Sequence, residues 1–113
     1  MRTSPLDPDE LVLRVAQAHT RLLDLTGRLS DRQKDAASTL PGWSRGHVLA
    51  HLADNARAFE RQARAALAGD LVDLYDGGQQ ERDRSIDRGA THSAARLHED
   101  LDAAQRALEG VWS

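Results

Sequence analysis

The sequence predicts an all-α protein, an up-down helical bundle of three long helices plus one short helix. Three observations predict it. Apolar residues recur at alternating spacings of three and four over three long stretches, the period of one helix face. Each stretch opens on a residue that caps helices and closes near a glycine. Aromatic residues make up only 4% of the chain. A core built of Leu, Val and Ala packs helices closely and suits a sheet poorly.

The first helix is expected over roughly residues 8–29. Asp7 is a good N-cap, Pro8 fits the first helical position, and Asp9 and Glu10 favour the positive end of the helix dipole. Leu11, Val15, Ala18, Leu22, Leu25 and Leu29 form its apolar stripe. Ser30 can cap a short helical turn through Asp35, and Pro41-Gly42 marks a tight loop. Ser44 is the expected N-cap of a second long helix running to about Ala68, with a stripe of Leu49, Leu52, Ala56, Phe59, Ala63 and Ala66. Residues 70–78 read as a loop, Gln79 to Arg88 as a short charged helix closed by Gly89. Thr91 is the expected cap of a last helix to about Glu109, with a stripe of Ala94, Leu97, Leu101, Ala104, Leu108 and Val111 and a C-cap at Gly110. The 113 residues suit a single helical-bundle domain, 1–113.

Composition narrows the function. There are no cysteines, which excludes disulfides, thiolate metal sites and cysteine nucleophiles and fits a cytoplasmic protein. A net charge of −3, from 15 basic and 18 acidic residues, argues against a nucleic-acid partner. No apolar run approaches the ~20 residues of a membrane span, and the polar start MRTSPLDPDE is no signal peptide. Lys34 is the one lysine among the basic residues, a bias expected of a GC-rich coding genome.

The informative segment is PGWSRGHVLAHLADNA, at the start of the second long helix. His47 and His51 stand one helical turn apart, a spacing at which two imidazoles can share a metal ion. The zinc-protease pattern needs Glu after the first His; Val48 stands there, so that reading fails. Helical geometry separates the pair. At about 100° per residue, His51 lies roughly 100° from the centre of the apolar stripe, on its border, and His47 lies further out. Asn55 and Gln62 share that border. A bundle lines a polar site in this way. His51 is therefore the better metal-ligand candidate, and His47 a supporting or surface group. Trp43 reads as packing the loop onto the helix through Val48 or Leu49. His19 and His98 read as boundary residues and His92 as exposed. Arg82, beside Glu81, Asp83 and Arg84, reads by itself as a solvated charge.

The run from Gly42 to Ala56, GWSRGHVLAHLADNA, resembles the signature of the mycothiol-dependent maleylpyruvate isomerase family, whose N-terminal metal-binding domain is a DinB-like four-helix bundle. The segment AALAGDLVDLYDGGQQERDRSIDRGA is similar to the family's loop and short helix, so the resemblance covers roughly residues 8–113. It implies a zinc or other divalent-metal ligand at His51, substrate or thiol handling by Arg82, and a cofactor-binding position at Asn55. It also implies an actinobacterial source and a small-molecule substrate with mycothiol as the low-molecular-weight thiol. The chemistry implied is addition of the thiolate to the cis double bond of maleylpyruvate, rotation about the resulting single bond, and elimination to fumarylpyruvate. The family's other ligands are a Glu and a His on a further long helix, which follows an element resembling Trp112-Ser113. The chain thus reads as an incomplete N-terminal metal-binding domain, expected to be inactive alone. The alternative reading is a non-catalytic helical module that pairs with a protein partner, including a homodimer that covers the face of the missing helix.

Overall fold

A computed structural model describes residues 7–75 and 77–112. They form five helices, α1 (Pro8–Thr26), α2 (Asp31–Asp35), α3 (Arg45–Leu67), α4 (Gly78–Ala90) and α5 (Ala94–Trp112), and no strand. Ser113, part of the expected Trp-Ser element, lies outside the described residues.

The helix starts follow local chemistry. The Asp7 carboxylate accepts from the Asp9 amide at 3.1 Å, and Pro8 opens α1. Ser30 and Gln33 form a reciprocal capping box at α2. Pro41 and Gly42 build the turn before α3. Gly42 takes φ 79°, and the Trp43 amide donates to the Leu40 carbonyl at 3.2 Å, so only a residue without a Cβ sits there unstrained. Four boundaries differ from expectation. α1 ends at Thr26, with Gly27 as its C-cap, and not at about residue 29. Gly89 does not end α4, which runs through it to Ala90. Thr91 is the C-cap of α4 and not the start of α5: its hydroxyl donates to the Arg88 carbonyl at 2.6 Å. Ser93 takes over as the α5 cap, accepting from the Arg96 amide at 3.2 Å, while Asp31 of α2 accepts the Ala94 amide at 2.7 Å. At the far end, α5 continues past Gly110 to Trp112.

The core lies where α3, α4 and α5 meet: Leu49, Ala50, Ala53, Ala56, Ile86, Leu97, Leu101, Ala104 and Leu108. The α5 stripe is buried as expected from Ala94 to Leu108. The other two stripes are buried only in part: Leu49 and Ala56 of the α3 stripe are in the core, and Leu22 and Leu29 of the α1 stripe pack against it. On α3 the neighbours pack against Gly46, Ala50 and Ala53, because small side chains let helix backbones approach; Phe59 of the expected stripe stays 44% exposed. On α1 only Thr26 is fully buried, and Leu25 is 68% exposed. α1 packs mainly on α5, leaving Leu11, Val15 and Leu25 on an open face. Leu25 and Leu29 line a cleft of about 310 Å³ together with Val48 and Leu49 of α3, so the free edges of α1 and α3 border one groove.

Two residues fix α4. The buried Lys34 ammonium donates to the Ala90 carbonyl at 2.9 Å, placing a cation on the negative end of α4. Gly89 crosses α3 at Ala50 so closely that a Cβ on Gly89 would lie 2.7 Å from the Ala50 Cβ. Gly89→Ala therefore pits a helix-propensity gain of about 1 kcal/mol against an overpacking cost of about 1–3 kcal/mol. Neither Cβ can swing aside, so the cost wins. Thermal melting is expected to show a net loss of about 1 kcal/mol, and an unchanged or raised melting point would refute the close crossing.

Candidate functional site

The site is built on the first turns of α3 and the seam it forms with α4. His47 is spent on structure. The Ser44 amide donates to its Nδ1 at 3.2 Å, while the His47 amide donates back to the Ser44 hydroxyl at 3.2 Å. Its Nδ1 is therefore an acceptor, and the proton sits on Nε2, 3.4 Å from Asp87. His47 completes the capping box of α3 with its Nδ1, while its Nε2 faces the exposed Asp87.

His51, one turn on, is half-buried and differently placed. The Arg82 guanidinium of α4 approaches its Nδ1 at 3.3 Å. A guanidinium can only donate, so Nδ1 accepts and Nε2 carries the proton. Trp43 closes one side, its ring centroid 5.5 Å from that of His51 and 6.3 Å from that of His47. The tryptophan packs on the core cluster that includes Leu49, as expected, and also walls the histidine pair. Burial holds the His51 imidazole below its ordinary value of 6.5, the Arg82 charge lowers it further, and Asp54 opposes both.

The sign of the pH effect follows. An unfolded His51 takes a proton more readily than the folded one, so stability from this group is complete above about 6.5 and declines as pH falls through that value. It levels off once the folded imidazole also protonates. An NMR titration is expected to place His51 below 6.5, and Arg82→Ala to move it upward. A midpoint at or above 6.5 would contradict the geometry.

Asn55 lies one turn beyond His51. Its side-chain carbonyl accepts from the Tyr75 hydroxyl at 3.0 Å. Tyr75 in turn lies under Arg82, whose guanidinium carbon is 5.7 Å from the ring centroid. Arg82 also pairs with Asp83 at 2.9 Å and is only 21% exposed, so it is no freely solvated charge. Tyr75 and Arg82 line two clefts, of about 240 and 440 Å³. The structure thus joins His51, Arg82 and Asn55, and adds Tyr75, which residue patterning passed over. Gln62 is not part of this cluster: its amide donates to the Val72 carbonyl at 3.3 Å.

The remaining histidines serve the packing of α5. His19 bonds Glu109 at 2.5 Å and His98 bonds Thr26 at 2.7 Å, tying α1 to α5 at the boundary where both were expected. His92 is less exposed than expected. Its side chain is 28% exposed, and its Nδ1 is buried without a hydrogen-bond partner among the described residues.

No group of three metal-binding side chains comes together among the described residues. A catalytic zinc site takes three protein ligands. The described part of this chain offers the His51 imidazole, with the Arg82 guanidinium 3.3 Å from its Nδ1. It does not by itself fit a metal.

Fold and site together define a helical-bundle domain that brings one imidazole, one guanidinium and two aromatic rings to the seam of two helices. The chain belongs to the mycothiol maleylpyruvate isomerase N-terminal domain family, whose sequence profile matches residues 15–113. It is similar to a crystal structure of the mycothiol-dependent maleylpyruvate isomerase, with 26% identity and a TM-score of 0.82 over 99% of this chain. A crystal structure of a histidine-to-alanine mutant of that isomerase is similar at 25% identity and the same TM-score. In both comparisons the chain spans 47% of the solved chain. Comparison with curated proteins gives no match.

Proposed function

We propose that this chain is the N-terminal part of an enzyme that isomerises a small unsaturated dicarboxylate such as maleylpyruvate with the help of mycothiol. The observation that carries the reading is the Arg82–His51 contact at 3.3 Å within a family that bears this name. Arg82 supplies a partly buried cation for a carboxylate of the substrate, where a fork of donors is strongest. Asn55 keeps an amide N–H₂ for a polar group of the thiol cofactor, since its carbonyl is taken by Tyr75. His51 contributes one ligand to a divalent metal, zinc being the expected ion. The other ligands come from outside the described residues. The open groove bordered by α1 and α3 leaves room for a further ligand-bearing helix, which supports this reading.

The test is an assay of the full-length protein for cis-to-trans conversion of maleylpyruvate with and without mycothiol. Activity only with the thiol supports the proposal. No activity with thiol and metal supplied sinks it. Arg82→Ala is expected to raise KM about tenfold or more, the worth of one charge-assisted hydrogen bond.

The exposed apolar edges of α1 and α3 favour a second reading, a non-catalytic module whose groove is covered by a second copy of the chain. Sedimentation of the 113-residue chain separates the two. A monomer counts against the module, and a stable dimer without metal counts for it.

A further inference from the structure

The loop between α3 and α4 carries Tyr75; its start is open, with Leu71 99% exposed, while Leu74 and Tyr75 are half-buried. Its hydrogen bonds come from α3. The Arg61 guanidinium donates to the Asp73 carbonyl and, at 2.9 Å, to the Leu74 carbonyl. Gln62 donates to the Val72 carbonyl, and the Tyr75 hydroxyl bonds Asn55.

Arg61 differs from the arginines around it. Arg57 pairs with Asp54 and Arg64 with Glu60, each on its own helix. At three and four residues from Arg61 stand Arg57, Ala58, Arg64 and Ala65, none of them acidic. An i, i+3 or i, i+4 ion pair is therefore closed to it. Its charge goes to two backbone carbonyls twelve and thirteen residues downstream.

We infer that Arg61 is a positioning residue for the His51 site. It clamps residues 73 and 74, the clamp seats Tyr75 between Asn55 and Arg82, and Tyr75 holds the Arg82 guanidinium on His51. The chain of contacts is Arg61 to the loop carbonyls, Tyr75 to Asn55 at 3.0 Å, Arg82 over Tyr75 at 5.7 Å, and Arg82 to His51 at 3.3 Å. A cation–π contact is weak at an exposed site and stronger when its partners are held and desolvated. Holding the ring is what Arg61 adds. The inference deepens the proposed function but is read from geometry that needs neither thiol nor metal.

The experiment compares wild type, Arg61→Ala, Arg61→Lys and Tyr75→Phe in the full-length protein, with contacts read on metal-stripped samples and kinetics on metal-loaded ones. The first readout is the set of NMR contacts among Tyr75, Arg82 and His51, with Ile86 to Leu97 contacts as the control for folding. Arg61→Ala is expected to lose the Tyr75–Arg82 and Arg82–His51 contacts while the core contacts persist. Arg61→Lys restores them in part, because an ammonium also donates to carbonyls. Tyr75→Phe removes the Asn55 bond but keeps the ring, and retains the Arg82 contact more fully than Arg61→Ala. Persistence of the Arg82–His51 contact in folded Arg61→Ala overturns the inference. The second readout is kinetic: Arg61→Ala raises KM by roughly tenfold with a smaller change in kcat. A fall in kcat alone also overturns it. Should the wild type show no isomerase activity, the function proposal fails while the contact readout still decides the role of Arg61.

Discussion

His51→Ala in the full-length protein is expected to weaken divalent-metal affinity by roughly a hundredfold or more. Losing a residue that merely supports a metal-bound histidine costs about 10–100-fold. Losing the imidazole itself costs more, because a site of three protein ligands falls to two. The measurement is a competition titration against a zinc chelator, with bound metal counted after dialysis. Wild-type affinity in His51→Ala would remove His51 from the metal site. The His51–Arg82 contact adds a second, opposite expectation. A metal needs a lone pair on the imidazole. Taking Nδ1 displaces Arg82, and taking Nε2 moves the proton to Nδ1, where a guanidinium cannot accept it. Metal uptake therefore breaks the contact by either route. Arg82→Ala, which removes that competitor and a neighbouring positive charge, is expected to tighten metal binding while it weakens substrate binding. A structural role for Arg82 would weaken both.

Leu101→Ala is expected to cause the largest loss of stability of any single truncation in the core. Leu101 is 0% exposed, at the centre of α5, the helix on which both α1 and α3 pack. Removing a buried leucine side chain costs about 2–5 kcal/mol, and the upper half of that range applies where the surroundings cannot collapse. For a domain of this size the melting point falls on the order of 15 °C. Leu25→Ala is the informative comparison. Leu25 is 68% exposed, so its truncation in the 113-residue chain is expected to change stability by less than about 0.5 kcal/mol. Equal losses in the two variants would mean that the α1 stripe is covered in solution. Equal losses only in the full-length protein would show that its remaining part fills the groove.

The helices themselves were legible because their signals are local. Capping residues, proline at a first turn and the three-four period act within a few residues of chain, so α1, α2 and α3 begin where Asp7, Ser30 and Ser44 say they should. The boundary errors sit where a tertiary contact overrode a local signal. Gly89 looks like a stop, but it is needed inside α4 for the close crossing at Ala50. Thr91 looks like an N-cap, but Ser93 and Asp31 supply the acceptors that start α5.

The sequence by itself determined an all-helical chain and the family it belongs to; its preference for His51 over His47 as a metal ligand is the expectation that the His51→Ala titration tests. That preference is local, since Ser44 and the helix period decide which histidine is spent on a cap and which lies at the edge of the packed face. Tertiary structure decided what His51 meets. Arg82 stands 31 residues away and Tyr75 comes from a loop held by Arg61, and no spacing along the chain encodes those contacts. It also decided which apolar stripes are covered. A helix announces an apolar face through its period, but the burial of that face depends on a partner elsewhere in space. In this chain α5 has such partners on its stripe, while the outer edges of α1 and α3 border an open groove.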